Sequence, residues 1–178
     1  MGAYLDTGAL VPLYVTEAFS EAITAEVERH GEPVPVNSFH RLELESALRL
    51  KVFRGEIAED LCRTTLRKIE SHLEAGMLRL RPVDWVAAID NARRISRDVT
   101  QTAGCRTLDL IHVAIAAQWK CTVFVTGDER QIEAARIKGF TIVDLRELHR
   151  RHKGDSPAQT AVKEARRPYS GRRRVARA

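Results

Sequence analysis

Four acidic residues stand where a carboxylate is either a helix cap or a ligand. Asp6 closes the short apolar run Ala3-Tyr4-Leu5, where a lone charge is costly unless it caps or coordinates something. Asp is also a preferred N-cap, so both roles are open there. Glu43 and Glu45 share one predicted helix and are separated by its geometry. Glu45 has Arg41 and Arg49 at i−4 and i+4, which reads as a solvated ion-pair row. Glu43 aligns with Phe39, Ala47 and Leu50, so its carboxylate emerges at the edge of the apolar face, where burial calls for a cation. Asp109 lies in the first turn of an apolar helix after Thr107, a place the helix dipole also offers to an acid. Thr126-Gly127-Asp128, with Gln131 three residues on, has the form of a capping box. For Asp109 and Asp128 the functional case is therefore joint: several acids at strand ends and helix starts, all beside one crevice.

Carboxylates held close repel one another, and a divalent cation is the simplest way to keep them ionised near neutral pH. Oxygen ligands favour Mg²⁺ or Mn²⁺ over zinc. Such an ion activates water and steadies an in-line phosphoryl displacement, which needs no nucleophilic Ser or Cys. Arg106, at the same helix start as Asp109, could meet a substrate phosphate, although an exposed ion-pairing Arg has the same pattern. His112 falls at i+3 from Asp109 amid apolar neighbours and reads as a core histidine. His30 and His40 have no ligand spacing, so no histidine is assigned to a metal. The sequence has no P-loop, no Gly-x-Gly-x-x-Gly and no Cys/His ligand grid. Cys62, Cys105 and Cys121 lack the paired spacing of a zinc or redox motif and read as reduced thiols.

The elements that must position these acids alternate. Strand signals fall at 3–6, 33–36, 121–125 and 140–143, with a weaker one at 77–83. Helical periodicity covers 20–30, 38–54, 57–75, 84–99, 107–119, 128–138 and 145–151. A further helix starts at Thr7, with Pro12 in its first turn. Strands separated by helices predict an α/β fold with a mostly parallel sheet, whose site lies beyond the carboxyl ends of the strands. Asp6 and Asp128 both follow strands and so face one crevice.

At 178 residues, with 44% hydrophobic and 30% charged residues, the chain suits one folded domain. No apolar run approaches the roughly 20 residues that span a bilayer, and no basic-then-apolar leader follows Met1, so a cytoplasmic protein is expected. Charge is unevenly placed within the net +5. Residues 150–178 carry ten Lys or Arg against two acids, which leaves 19 basic and 22 acidic residues in 1–149. We read 1–149 as the domain and 150–178 as a flexible basic tail suited to a polyanion.

The motifs Tyr4-Leu-Asp6-Thr-Gly-Ala, Leu42-Glu43-Leu-Glu-Ser-Ala47-Leu, Arg106-Thr-Leu-Asp109-Leu-Ile-His112 and Val125-Thr126-Gly-Asp128-Glu-Arg, in this order and spacing, resemble a PIN domain of the VapC toxin type. The resemblance covers about the first 145 residues. It implies a compact three-layer α/β/α sandwich, Mg²⁺-dependent endoribonuclease activity with Mn²⁺ able to substitute, an RNA substrate, inhibition by a cognate antitoxin, and a homodimer. It marks Asp6, Glu43, Asp109 and Asp128 as the acidic metal site, with Thr7 and Thr126 as polar supports. Gly8 departs from the Ser that many relatives carry there. Gly8 also counts against an aspartyl phosphatase, which needs a second Asp two residues after the first. A non-catalytic PIN-like module that binds RNA or a partner stays open as the alternative.

If the tail tethers RNA, deleting residues 154–178 weakens RNA binding most at low salt. An affinity unchanged by the deletion would exclude that role.

Overall fold

The computed structural model describes residues 2–154; most of the basic tail, residues 155–178, lies outside the described residues. In chain order the elements are β1 (Ala3–Leu5), α1 (Thr7–Leu10), a 3-10 turn (Val11–Leu13), α2 (Ser20–His30), β2 (Val34–Val36), α3 (Ser38–Phe53), α4 (Glu59–Glu74), β3 (Leu78–Leu80), α5 (Trp85–Ala103), α6 (Thr107–Gln118), β4 (Val123–Thr126), α7 (Glu129–Ile137), β5 (Thr141–Asp144) and α8 (Leu145–His152). Pro12 falls in the 3-10 turn and not in the first turn of α1, because α1 ends after a single turn at Leu10. The weak strand signal at 77–83 is realised only at Leu78–Leu80, and α5 runs past the expected 99 to Ala103.

Every strand pairing is parallel. β1, β4 and β5 form one sheet in the order β1-β4-β5, β2 pairs with β3, and β2 lies beside β1. The register aligns Tyr4 with Phe124 and Phe124 with Ile142, while Leu5, Val125 and Val143 align one residue on. Successive strand residues point to opposite faces, so these two rows head two separate cores. Tyr4, Phe124 and Ile142 pack with residues of α5, α6 and α7, including Ile95, Ile115 and Ala134. Leu5, Val125 and Val143 pack with α1, α2, α3, α4 and α8 through Leu10, Ile23, Leu48, Ile69 and Leu145. Helices on both faces of a parallel sheet make the three-layer α/β/α sandwich.

α6 is buried continuously from Leu110 to Ala116, which explains its nearly uniform apolar sequence. Gly104 ends α5 in the left-handed conformation (φ 68°), where a side chain would be strained, and lets the chain turn back into α6. That turn sets the first residues of α6 at the carboxyl end of the sheet. Among the described residues no helix is long and apolar enough to cross a membrane.

Phe124 is fully buried and stacks on Tyr4 at 5.3 Å between ring centroids. Phe124→Ala is expected to cost roughly 3–5 kcal/mol in urea unfolding with little change in m-value. A loss below about 1 kcal/mol would contradict close packing on this face.

Candidate functional site

Strands β1 and β4 end side by side, and the chain after each begins a helix. Asp6 caps α1, its Oδ1 accepting from the Ala9 amide at 2.7 Å. Thr126, the last residue of β4, donates its hydroxyl to Asp6 Oδ2 at 2.6 Å and accepts from the Asp128 amide at 3.0 Å. One hydroxyl therefore ties the two strand ends together. Asp128 caps α7, its Oδ1 accepting from the amides of Arg130 at 2.7 Å and Gln131 at 3.3 Å. Asp109 accepts from the Arg106 amide at 2.8 Å and from Gln131 Nε2 at 3.4 Å. Glu43, in the second turn of α3, accepts from the Thr7 hydroxyl at 2.5 Å.

All four carboxylates line one cavity of about 360 Å³, together with Thr7, Gly8, Phe19, His112, Gly127, Gln131 and Leu145. A second cavity of about 310 Å³, at the far ends of the strands, is lined by Ala3, Val34, Arg79 and Arg81 and has only Glu32 as an acid.

The cap and the cluster, alternatives in the sequence, are thus both present at Asp6, Asp109 and Asp128. Among the described residues no three His, Cys, Asp or Glu side chains already stand as a ligand cage around one point. The donor set nevertheless fits a hard divalent cation. It is all oxygen, and an ionised carboxylate has about four lone-pair sites, of which each cap uses one or two. Among the described residues Glu43 Oε1 and Asp128 Oδ2 accept no hydrogen bond.

Burial dominates the electrostatics. Asp6 is 3% exposed, and desolvation pushes its carboxyl up to about 6, against the opposing pull of His112, the Thr126 hydroxyl and the Ala9 amide. Nearby Asp128 adds to the upward push. A cation would reverse this shift, which makes Asp6 the acid with most to gain from one.

Thr7 and Thr126 both hold carboxylates of the cluster. Gly8 lies against Asp6: a Cβ there would sit 3.4 Å from Oδ1, so a side chain at this position would touch that carboxylate. Arg106 does not line the cavity. Its side chain is exposed, and its backbone amide is what meets Asp109. Arg41 pairs with Glu70 at 2.6 Å instead of Glu45, leaving Arg49 as the nearer cation of that row at 4.0 Å. Sequence reasoning missed three contributors. His112 does face the cavity although its burial suits a core residue, and its place one turn after Asp109 was the available signal. Gln131 bridges from α7 to Asp109, and Asn37 caps α3, which carries Glu43, through the amide of His40 at 3.0 Å.

Comparison with known proteins agrees with this architecture. The PIN domain model matches residues 3–137, and the chain belongs to the PIN domain family. The crystal structure of FitAcB from Neisseria gonorrhoeae is similar in fold, with a TM-score of 0.51, 16% identity, and coverage of 81% of this chain and 98% of that one. No curated protein gives a significant match.

Because burial raises the Asp6 carboxyl from its ordinary 3.8 to about 6, the fold favours its protonated form. That contribution is complete below about pH 4 and lost as pH rises through about 6. In EDTA, urea unfolding should therefore show stability falling across this window by roughly 3 kcal/mol from this group, a slope that Asp6→Asn removes. An identical slope in Asp6→Asn would refute the assignment.

Proposed function

We propose that this PIN domain is a Mg²⁺-dependent endoribonuclease, with Mn²⁺ able to substitute, and the toxin of a VapC-type toxin-antitoxin pair. The observation that carries the reading is the meeting of Asp6, Glu43, Asp109 and Asp128 around one cavity beyond the carboxyl ends of a parallel sheet. These four residues would hold the ion. When bound, the ion supplies an activated water and offsets charge developing on the phosphate.

The protein's own contribution is orientation. Ala9 and Thr126 fix both oxygens of Asp6, and Thr7 fixes Glu43. The helix starts hold Asp109 and Asp128 where their remaining lone pairs are open to the cavity. Phe19 and Leu145 add apolar walls to the cavity.

Exposed apolar residues support a homodimer and a cognate antitoxin as partners. Trp85 packs edge-on against Phe39 at 6.2 Å, while Leu42 on α3 and Val86 and Ile89 on α5 stay exposed, an apolar surface suited to a protein contact. We assign the protein to the cytoplasm, a setting compatible with three free, buried cysteines. The division into a nuclease domain at 1–149 and a basic tail at 150–178 belongs to the same proposal.

A second reading, a PIN-like module that binds RNA or a partner without cutting it, draws on the caps that already engage three of the four acids. Incubating a mixed RNA pool with the purified chain and Mg²⁺ or Mn²⁺ separates the two. Cleavage abolished by EDTA and by Asp6→Asn is the expected result, with a loss of at least about 100-fold for the variant. RNA bound regardless of metal, uncut and unaffected by Asp6→Asn, would establish the second reading.

A further inference from the structure

Resting on the metal-binding reading above, we propose that His112 is a positioning residue for Glu43. Steadied by Tyr4 and acting with Thr7, it holds one carboxylate oxygen and leaves the other to the cavity.

His112 is 2% exposed and, among the described residues, is the only basic side chain lining the acidic cavity. Its Nδ1 lies 2.8 Å from the Tyr4 hydroxyl, and its Nε2 lies 2.8 Å from Glu43 Oε2. Nε2 thus lies at ion-pair distance from the Glu43 carboxylate, and we place the ring's proton on this nitrogen, the one beside the acid. With the proton on Nε2, Nδ1 is left to accept from the Tyr4 hydroxyl. Phe39 at 4.9 Å, His40 at 5.3 Å and Tyr4 at 5.8 Å wall the imidazole and oppose its rotation.

The Thr7 hydroxyl donates to the same Glu43 Oε2 at 2.5 Å. Two groups on separate elements, α1 and α6, therefore converge on one oxygen, while Oε1 has no hydrogen-bond partner among the described residues. Glu43 sits at the edge of the apolar face of α3 on a flexible side chain. Thr7 alone would leave it free to pivot about one contact, and His112 removes that freedom. Only Oε1 is then presented to an ion or to its bound water.

The test is a double-mutant cycle on the full chain, reading Mn²⁺ affinity from the spin-resonance signal of free Mn²⁺, with thermal unfolding to confirm folding. His112→Phe keeps an aromatic ring and removes the donor, and is expected to weaken Mn²⁺ binding about tenfold. His112→Gln, whose amide nitrogen reaches the place of Nε2, should recover most of that loss. In a Glu43→Ala background, His112→Phe should add less than about twofold. A full tenfold loss in that background would overturn the proposal, because His112 would then not act through Glu43.

Were the unsubstituted chain to bind no Mn²⁺, or Glu43→Ala to bind it equally well, the metal reading itself would fail. The positioning role is then decided on the metal-free chain by imidazole ¹⁵N spectra. They should show a protonated Nε2 in His112 whose signal moves in Glu43→Gln. A bare Nε2, or a signal indifferent to Glu43→Gln, overturns it.

Discussion

A carboxylate buried at the end of a central strand imposes the first constraint on this fold. Asp6 has almost no solvent, so its charge or its proton must be accommodated by protein groups. Two donors meet it: the Ala9 amide, freed because α1 begins there, and the Thr126 hydroxyl, which arrives because β4 pairs in parallel with β1. An antiparallel neighbour of β1 would bring the start of that strand to this end instead of its close. The parallel pairing, the helix start and the acidic cavity thus depend on one another. Residual desolvation keeps the Asp6 carboxyl at about 6, a tension that a cation would relieve.

Helix capping and ligand placement are not rivals in such a sheet. A parallel strand ends, the chain turns into a helix, and the residue at the junction must satisfy free amides. Asp does so with part of its acceptor capacity and is left at the crevice with the rest. Asp6 and Asp128 are built this way, and Asp109 reaches the same place from the first turn of α6. Glu43 differs, since it projects from within a helix and needs neighbours to hold it. Thr7 and His112 meet that need, and their sequence distances of 36 and 69 residues mean that the whole sandwich must form before the fourth acid is fixed.

The two cores divide the labour. One packs α5, α6 and α7 around Tyr4 and Phe124, and its rim carries the Tyr4–His112 contact. The other packs α1 to α4 and α8 around Leu5 and Val125, and it seats α3 so that Glu43 faces the cavity. A change in either core reaches the site through an acid or the group that holds it.

Local physics made much of this readable from the chain alone. Period-2 and period-3.6 patterns located the strands and helices, and the acids at their junctions stood out because charge is costly beside apolar runs. Glu43 was separable from Glu45 because helical geometry is local. The partner of Arg41 and the role of Gln131 were not readable, because each depends on residues distant in sequence. His112 shows the boundary most clearly. Its apolar neighbours placed it in the core, correctly, but only the packing of α6 against β1 and α3 decided that its ring spans Tyr4 and Glu43, since a contact across 69 residues leaves no periodic trace in the sequence.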